Sequence, residues 1–497
     1  MRMKKIVTLL FSLFFLTASC LFMVKPAFSS TDPAENTWVT KAPMHVARSN
    51  LGVAVVNGKI YAIGGSVGNG VVTGANEEYD PERDTWTLRK SMPTPQSDFG
   101  VEVYQDKIYC IGGAVNEVYD PATDTWEKRA PLPTPRTSFV TVVYNDRIYV
   151  IGGMRGPAYM RTTEVYDPVS DKWEKKASMP NASLPETCVV INGEIYVISY
   201  RGMISNPGSP PRIIEPVSYT AVYDEASDSW TSKAPMPVVK LGAGVVFEDK
   251  IYFVGGSYEY SVYVTLLQIY DPSADAWIEG ARPPAEGVNL GSAFMTSGEI
   301  APKRIYVVHD PLRIYDPEKD VWTLGPSKPV NRGGMGVTVL EDKIYAIGGF
   351  TTVFSGFDSP AEFTVTRYAT NEVYTPVGYG TVPPTINVVS PGSQTYNESS
   401  VSLVFTVNKP VNWMGYSVDG GATVTIEGNA ILEGLANGVH NVTVYARDAF
   451  GNVGASETVS FTVEVPFPVI LVVAPVASMA VVGAVVALYF RKRKNGV

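Results

Sequence analysis

Seven positions, one in each internal repeat, form a mostly basic set that could hold an anion: Arg48, Gln96, Arg136, Ser183, Lys240, Glu286 and Arg332. Each follows a segment of the Ala-Pro-Met-Pro type by about four residues. Guanidinium groups present a planar fork of donors that matches a carboxylate. If the repeats surround one axis, these mostly basic side chains gather on one rim and would attract a carboxylated ligand such as an acidic sugar. The alternative is architectural, with each Arg pairing to a neighbouring repeat.

Residues for covalent or metal chemistry are scarce. The three histidines are His45, His309 and His440, and they fall in separate segments, which makes a poor copper set. No metal site, catalytic residue or cofactor is expected. Cys20 lies in the N-terminal apolar run, whereas Cys110 and Cys188 fall inside predicted strands of different repeats. They read as small buried hydrophobes and not as a disulfide. His-Glu-x-x-His, Walker and Cys-x-x-Cys motifs do not occur. Acid pairs such as Asp80/Asp84 and Asp120/Asp124 recur in most repeats, and that regularity assigns them to turn building instead of calcium binding or acid–base work.

Further ligand-binding candidates lie on uneven loops. Residues 200–218 include Arg201, Arg212 and four prolines. Residues 350–369 include Phe354, Phe357 and Phe363, and a third loop carries Tyr258, Tyr260 and Tyr263. Long loops on a rigid scaffold often carry function. Exposed aromatic rings would stack on sugars or anchor a protein; the alternative is that they cover the edge of the fold.

The elements that must position these residues come from a repeat of about 47 residues. Its first unit is an apolar strand ending in Ile-Tyr-x-Ile-Gly-Gly, at 60–65, 108–113, 148–153, 251–256 and 344–349, with degenerate copies at 195–199 and 305–310. Its second is Tyr-Asp-Pro-x-x-Asp-x-Trp, at 79–86, 119–126, 166–173, 223–230, 270–277 and 315–322, with small departures. Apolar β-branched residues suit strands buried on both faces, the paired glycines allow positive φ, Asp-Pro opens a tight turn, and Trp brings a large surface to bury. The order per repeat is four strands, a to d. The last repeat runs through 371–374 and lacks its Trp, while the chain's start supplies Asp-Pro-Ala-Glu-Asn-Thr-Trp at 32–38. The segment 36–42 is therefore expected to serve as the last strand of the seventh repeat and to close the ring.

In these Gly-Gly, Tyr-Asp and Trp positions the chain resembles the kelch-repeat family over residues 31–378. The resemblance implies a seven-bladed β-propeller, with ligands bound at a mouth of its central channel. Blades 4 and 6 depart from it, with Ile198-Ser199 and His309-Asp310 where Gly-Gly is expected. Kelch-type oxidases that resemble galactose oxidase need several His ligands and a Cys-linked Tyr, and sialidases need Asp-box repeats; this chain has neither set. A sialic-acid mutarotase-like or oxidase-type carbohydrate enzyme is the runner-up function, and a structural envelope component is the third.

Residues 380–466 change character after Pro383-Pro384. Short alternating strands at 386–390, 401–408, 412–418, 422–427, 440–448 and 458–465 are separated by turn residues, and resemble an immunoglobulin or fibronectin type III-like sandwich acting as a stalk. Both ends read as membrane signals. Residues 1–29 form a basic start, an apolar run and small residues suited to signal cleavage. Residues 469–490 are uncharged and long enough to cross the hydrocarbon as a helix, and the basic tail at 491–497 places the C-terminus in the cytoplasm. This layout resembles archaeal-type surface proteins. The formal charge is −9, and removing the four basic residues at each end takes it to about −17, which excludes nucleic acid as a partner. Asn181, Asn397 and Asn441 stand in glycosylation triplets. The expected whole is an all-β, single-pass cell-surface protein whose propeller binds a surface glycan or an extracellular protein.

Overall fold

The computed structural model describes residues 34–202, 217–239, 241–257, 266–284, 292–355 and 362–466. Among these the secondary structure is entirely β, and no helix is long and apolar enough to cross a membrane. The expected signal sequence, spanning segment and basic tail lie outside the described residues. A boundary at 382/383 separates two compact units.

The first unit contains, among its described residues, seven four-stranded antiparallel sheets. Blade 1 is Gly52–Val56, Lys59–Ile63, Asn76–Asp80 and Thr85–Arg89. Blade 2 is Gly100–Tyr104, Lys107–Gly112, Val115–Asp120 and Thr125–Lys128; blade 3 is Val140–Tyr144, Arg147–Ile151, Thr163–Asp167 and Lys172–Lys176. Blade 4 is Leu184–Ile191, Glu194–Arg201, Val217–Asp224 and Ser229–Lys233; blade 5 is Leu241–Phe247, Lys250–Ser257, Leu266–Asp271 and Ala276–Glu279. Blade 6 is Ser292–Met295, Ile305–Val308, Arg313–Asp316 and Val321–Leu324. Blade 7 is Gly336–Leu340, Lys343–Ile347 and Asn371–Thr375, with Thr37–Lys41 as its fourth strand. The register of that last pair sets Trp38 opposite Tyr374.

The a-strands touch one another in blade order, and that of blade 7 touches that of blade 1. Glycine permits the close approach: a Cβ on Gly336 would come within 2.1 Å of the Val53 side chain. In six blades the a–b hairpin turns on two residues with positive φ, such as Asn57-Gly58 and Asn145-Asp146, the geometry that matches strand twist. Every pair of successive blades encloses its own apolar cluster; Ile347, Val373, Ile60, Tyr79 and Trp86 lie between blades 7 and 1. This is a β-propeller arrangement.

The second half of the repeat ties the blades together. Trp86 Nε1 donates to the Ala42 carbonyl at 2.7 Å, in the segment leaving the preceding blade. The six other tryptophans of the first unit repeat that bond, ending with Trp38 Nε1 to the Pro326 carbonyl at 3.2 Å. The two aspartates do different work. Asp80 Oδ1 accepts the Glu82 N–H at 3.0 Å and builds the turn. Asp84, at φ 51°, accepts the Ala42 N–H at 2.9 Å and the Tyr79 hydroxyl at 2.8 Å, and so joins two blades. Where the linker residue is Pro326, which has no N–H to offer, the Asp position holds Asn36 instead.

The second unit, taken by itself, pairs Ile386–Ser390, Val401–Val407 and Ala430–Leu432 in one sheet. Its other sheet is Thr395–Tyr396, Val459–Val463, Gly438–Arg447, Trp413–Val418 and Val424–Ile426, with Val453–Ala455 on Gly438–Arg447. Leu403, Val442, Val444, Ala446, Phe461 and Val463 form a shared core between them. The short strands Thr395–Tyr396, Ala430–Leu432 and Val453–Ala455 lack the alternating run that would mark them in sequence.

Candidate functional site

The arginine positions are corrected first. Arg48, Arg136 and Arg332 do not present free guanidinium groups at a rim: they are 0%, 2% and 5% exposed. Each enters its blade just before strand a and staples that blade together. Arg332 Nη1 donates to Glu372 Oε2 on strand c at 2.6 Å, and Nη2 donates to the Ala346 carbonyl on strand b at 3.0 Å. Arg136 repeats this with Glu164 and the Val150 carbonyl, and Arg48 with Glu77 and the Ala62 carbonyl. Burial pulls the Arg48 and Arg136 guanidinium groups below their ordinary range, and the paired carboxylates oppose it. A buried ion pair whose guanidinium also bonds backbone carbonyls of its own blade is an architectural part.

Where Arg is absent, other groups fill the gap. Half-buried Gln96 accepts the Gly65 N–H through its backbone, and Glu117 instead takes the Thr94 hydroxyl at 2.6 Å. Buried Ser183 donates to Ser199 at 2.7 Å. In blade 5, Gln268 replaces the strand-c Glu and exchanges two 2.9 Å hydrogen bonds with the Val238 backbone.

Lys240, Glu286, Arg212, Tyr258, Tyr260 and Phe357 lie outside the described residues. Arg201 ends strand b of blade 4 and is exposed. Phe354 stands opposite Phe363 on a hairpin, Phe350–Ser355 with Glu362–Arg367, that projects between strands b and c of blade 7. A smaller hairpin, Ser66–Gly68 with Val71–Val72, occupies the same place in blade 1. The two are neighbours: a Cβ on Gly68 would lie 3.0 Å from an Arg367 guanidinium nitrogen. Both carry exposed apolar side chains: Phe363 and Val365, on one face of the blade 7 hairpin, are 66% and 41% exposed, Val353 on its other face is 58% exposed, and Val71 on the blade 1 hairpin is 55% exposed. Asn397 and Asn441 are exposed, whereas Asn181 is half-buried. Cys110 and Cys188 are free thiols. Among the described residues no group of His, Cys, Asp and Glu could hold a metal ion.

Sequence reasoning missed a polar cluster at the junction of blades 6 and 7. The Met position of the Ala-Pro-Met-Pro segment is an apolar plug: Met44, Met92, Leu132, Met179 and Met236 are all at most 4% exposed. In blades 3 and 7 the first glycine of the Gly-Gly pair leaves room for the methyl end of Met179 and Met44. Before blade 7 the same position is Lys328, 4% exposed, whose Nζ has no hydrogen-bond partner. Facing it, the Gly-Gly pair of blade 6 is His309-Asp310, and the strand-c Glu position is Arg313. Burial first, then Arg313 and more weakly Lys328, hold the His309 imidazole below its ordinary range. Burial pulls the Lys328 ammonium down to about 8. The signal was present in the sequence as three departures in one repeat junction.

With this geometry in hand, the family comparison is direct. The Kelch motif matches residues 47–93, 97–133 and 135–180, which correspond to the first three blades and support a kelch-repeat family. Kelch repeats of this kind point to a protein-binding β-propeller module. A stretch of 91 residues, 17% of the chain, is 43% identical to Halomucin of Haloquadratum walsbyi. The chain spans about 1% of that protein's length.

Proposed function

We propose that the propeller is a binding module at the cell surface that takes an extracellular protein through the paired hairpins of blades 7 and 1. The observation that carries this reading is the group of exposed apolar side chains, Phe363 and Val365 on one face of the blade 7 hairpin and Val71 on the neighbouring hairpin, on projections that the blades do not need for their own closure. Exposed large apolar side chains grouped on rigid hairpins suit a protein partner. The kelch repeats and the likeness to part of Halomucin are in keeping with a surface protein. In this reading residues 383–466 are an immunoglobulin-like stalk, residues 469–490 the membrane anchor, and residues 491–497 the cytoplasmic tail.

The test is binding of the fluorescent chain to envelope fragments of its source cells, before and after protease or glycosidase treatment of the fragments. The wild type is expected to bind in a protease-sensitive manner, and a Val71→Asp/Phe363→Asp variant to bind at least tenfold more weakly. Loss on glycosidase treatment alone would shift the reading to a glycan ligand. No binding by the wild type would end the adhesion reading.

A further inference from the structure

We propose that the junction of blades 6 and 7 is a binding site for one small oxyanion that also carries a hydroxyl, held between the Lys328 ammonium and the Arg313 guanidinium. The site is independent of the hairpin surface. Lys328 and Arg313 are 4% and 2% exposed, and neither has a carboxylate within ion-pair distance among the described residues. Arg313 makes one long contact, Nη1 to His309 Nδ1 at 3.5 Å, and its Nε has no partner. Lys328 Nζ has none at all. A buried cation without a counter-ion is costly enough that proteins pair it or lose its charge.

Two carboxylates stand near but are engaged elsewhere or turned aside. Glu372 is bound by Arg332 through Oε2, and its Oε1 is buried without a partner. Asp310 Oδ1 is likewise without one. With His309 held neutral, three cations (Arg313, Lys328, Arg332) face these two carboxylates among the described residues, an excess there of one positive charge. The vacant hydrogen-bonding capacity is two-sided: donors on Lys328 and Arg313, acceptors on Asp310 and Glu372. A hydroxy-acid or hydrogen phosphate satisfies both sides, because its anionic oxygens accept and its hydroxyl donates. The internal repeats supply the contrast, since the equivalent positions elsewhere hold an uncharged plug, methionine at four junctions, and an Arg–Glu pair closes within blades 1, 3 and 7.

The experiment is thermal unfolding of the full chain in constant ionic strength, with chloride replaced stepwise by glycolate, acetate or phosphate. A ligand of the native state raises Tm in a saturable way. Glycolate and phosphate are expected to raise it by at least about 2 °C, with acetate saturating at least threefold more weakly. Lys328→Met restores the residue used at four other junctions, so the variant should fold, as circular dichroism will check, and should lose the response. Arg313→Gln is the second variant and should weaken it tenfold or more. No response beyond chloride in the wild type, or an undiminished response in Lys328→Met, overturns the site. A response that appears only in Glu286→Gln also overturns it, by showing that the chain's own carboxylate fills the position. Acetate matching glycolate overturns the hydroxyl requirement.

Discussion

The arginine pairs inside blades 3 and 7 and the cluster at the junction between blades 6 and 7 use the same backbone for opposite purposes. Arg136 and Arg332 reach a strand-c glutamate and two or more backbone carbonyls, so every buried charge on them is matched. At the 6–7 junction the strand-c residue is itself a cation, Arg313, and the apolar plug is a second cation, Lys328. Among the described residues these two departures, being of the same sign, do not compensate each other. The lesson is that a repeat protein reveals its special position through the repeat that breaks the internal rule, because six other copies show what mere architecture requires.

The largest expected effect comes from breaking a matched pair. Arg332→Ala leaves Glu372 buried and uncompensated and should cost about 3–5 kcal/mol in denaturant unfolding. A loss under about 1 kcal/mol would mean that the pair is not closed in solution. Lys328→Met should act in the other direction when no anion is added. Lys328 titrates near 8 in the folded chain, against 10.5 for an unperturbed lysine. Its depressed value means that the unfolded chain binds more protons between those limits, so wild-type stability relative to Lys328→Met should rise from pH 8 towards pH 10.5, by about 3 kcal/mol in all. A pH-independent difference between the two proteins would refute the buried, unpaired ammonium.

Strand a of blade 4 offers a smaller contrast with the matched arginine pairs. Burial pushes Glu186, on the bulge between Pro185 and Thr187, up to about 7. A raised carboxyl loses stability as pH climbs from its unfolded value of 4.5 to about 7. Glu186→Gln should therefore be the more stable protein above pH 7, by about 3 kcal/mol, and should match the wild type near pH 4.

The ring closure can be compared with an ordinary junction by removing one indole donor at a time. Trp86→Phe should cost about 1 kcal/mol. Trp38→Phe should cost less, because its bond to Pro326 is 3.2 Å and Pro326 has no N–H for a second tie. Equal costs would show that the closing strand is held as firmly as any other.

The smallest effect lies in the second unit. His440 Nδ1 faces Asp419 at 2.7 Å and Nε2 faces the Ala436 carbonyl at 2.8 Å, two acceptors that only the doubly protonated ring can satisfy. The Ala436 carbonyl first, and then Asp419, raise its pKa. This contribution is complete below the ordinary value of 6.5 and fades as pH rises through the raised one. His440→Gln should thus cost less at pH 9 than at pH 5, and NMR titration of the ring should show a midpoint above 6.5.

Much of the molecule was legible from local rules. The Ile-Tyr-x-Ile-Gly-Gly and Tyr-Asp-Pro-x-x-Asp-x-Trp units state which residues form strands, because strand alternation, glycine freedom and Asp-Pro turns act over a few neighbouring residues. Period and count then announce a repeat architecture. What local rules do not carry is the partner of a long side chain. Arg48, Arg136 and Arg332 had the type and spacing of an anion-binding ring, and only the fold brings Glu77, Glu164 and Glu372, some 30 to 40 positions away in sequence, into each guanidinium fork. The same holds for the second Asp of each pair, whose partner lies in the preceding blade, and for Lys328, whose departure from the apolar plug is visible in sequence but whose burial only the fold reveals. Sequence alone determined the strands, the repeat and the acidic character; tertiary structure decided which charges are matched, because burial and pairing depend on distances that the chain sets only once the blades have closed on one another.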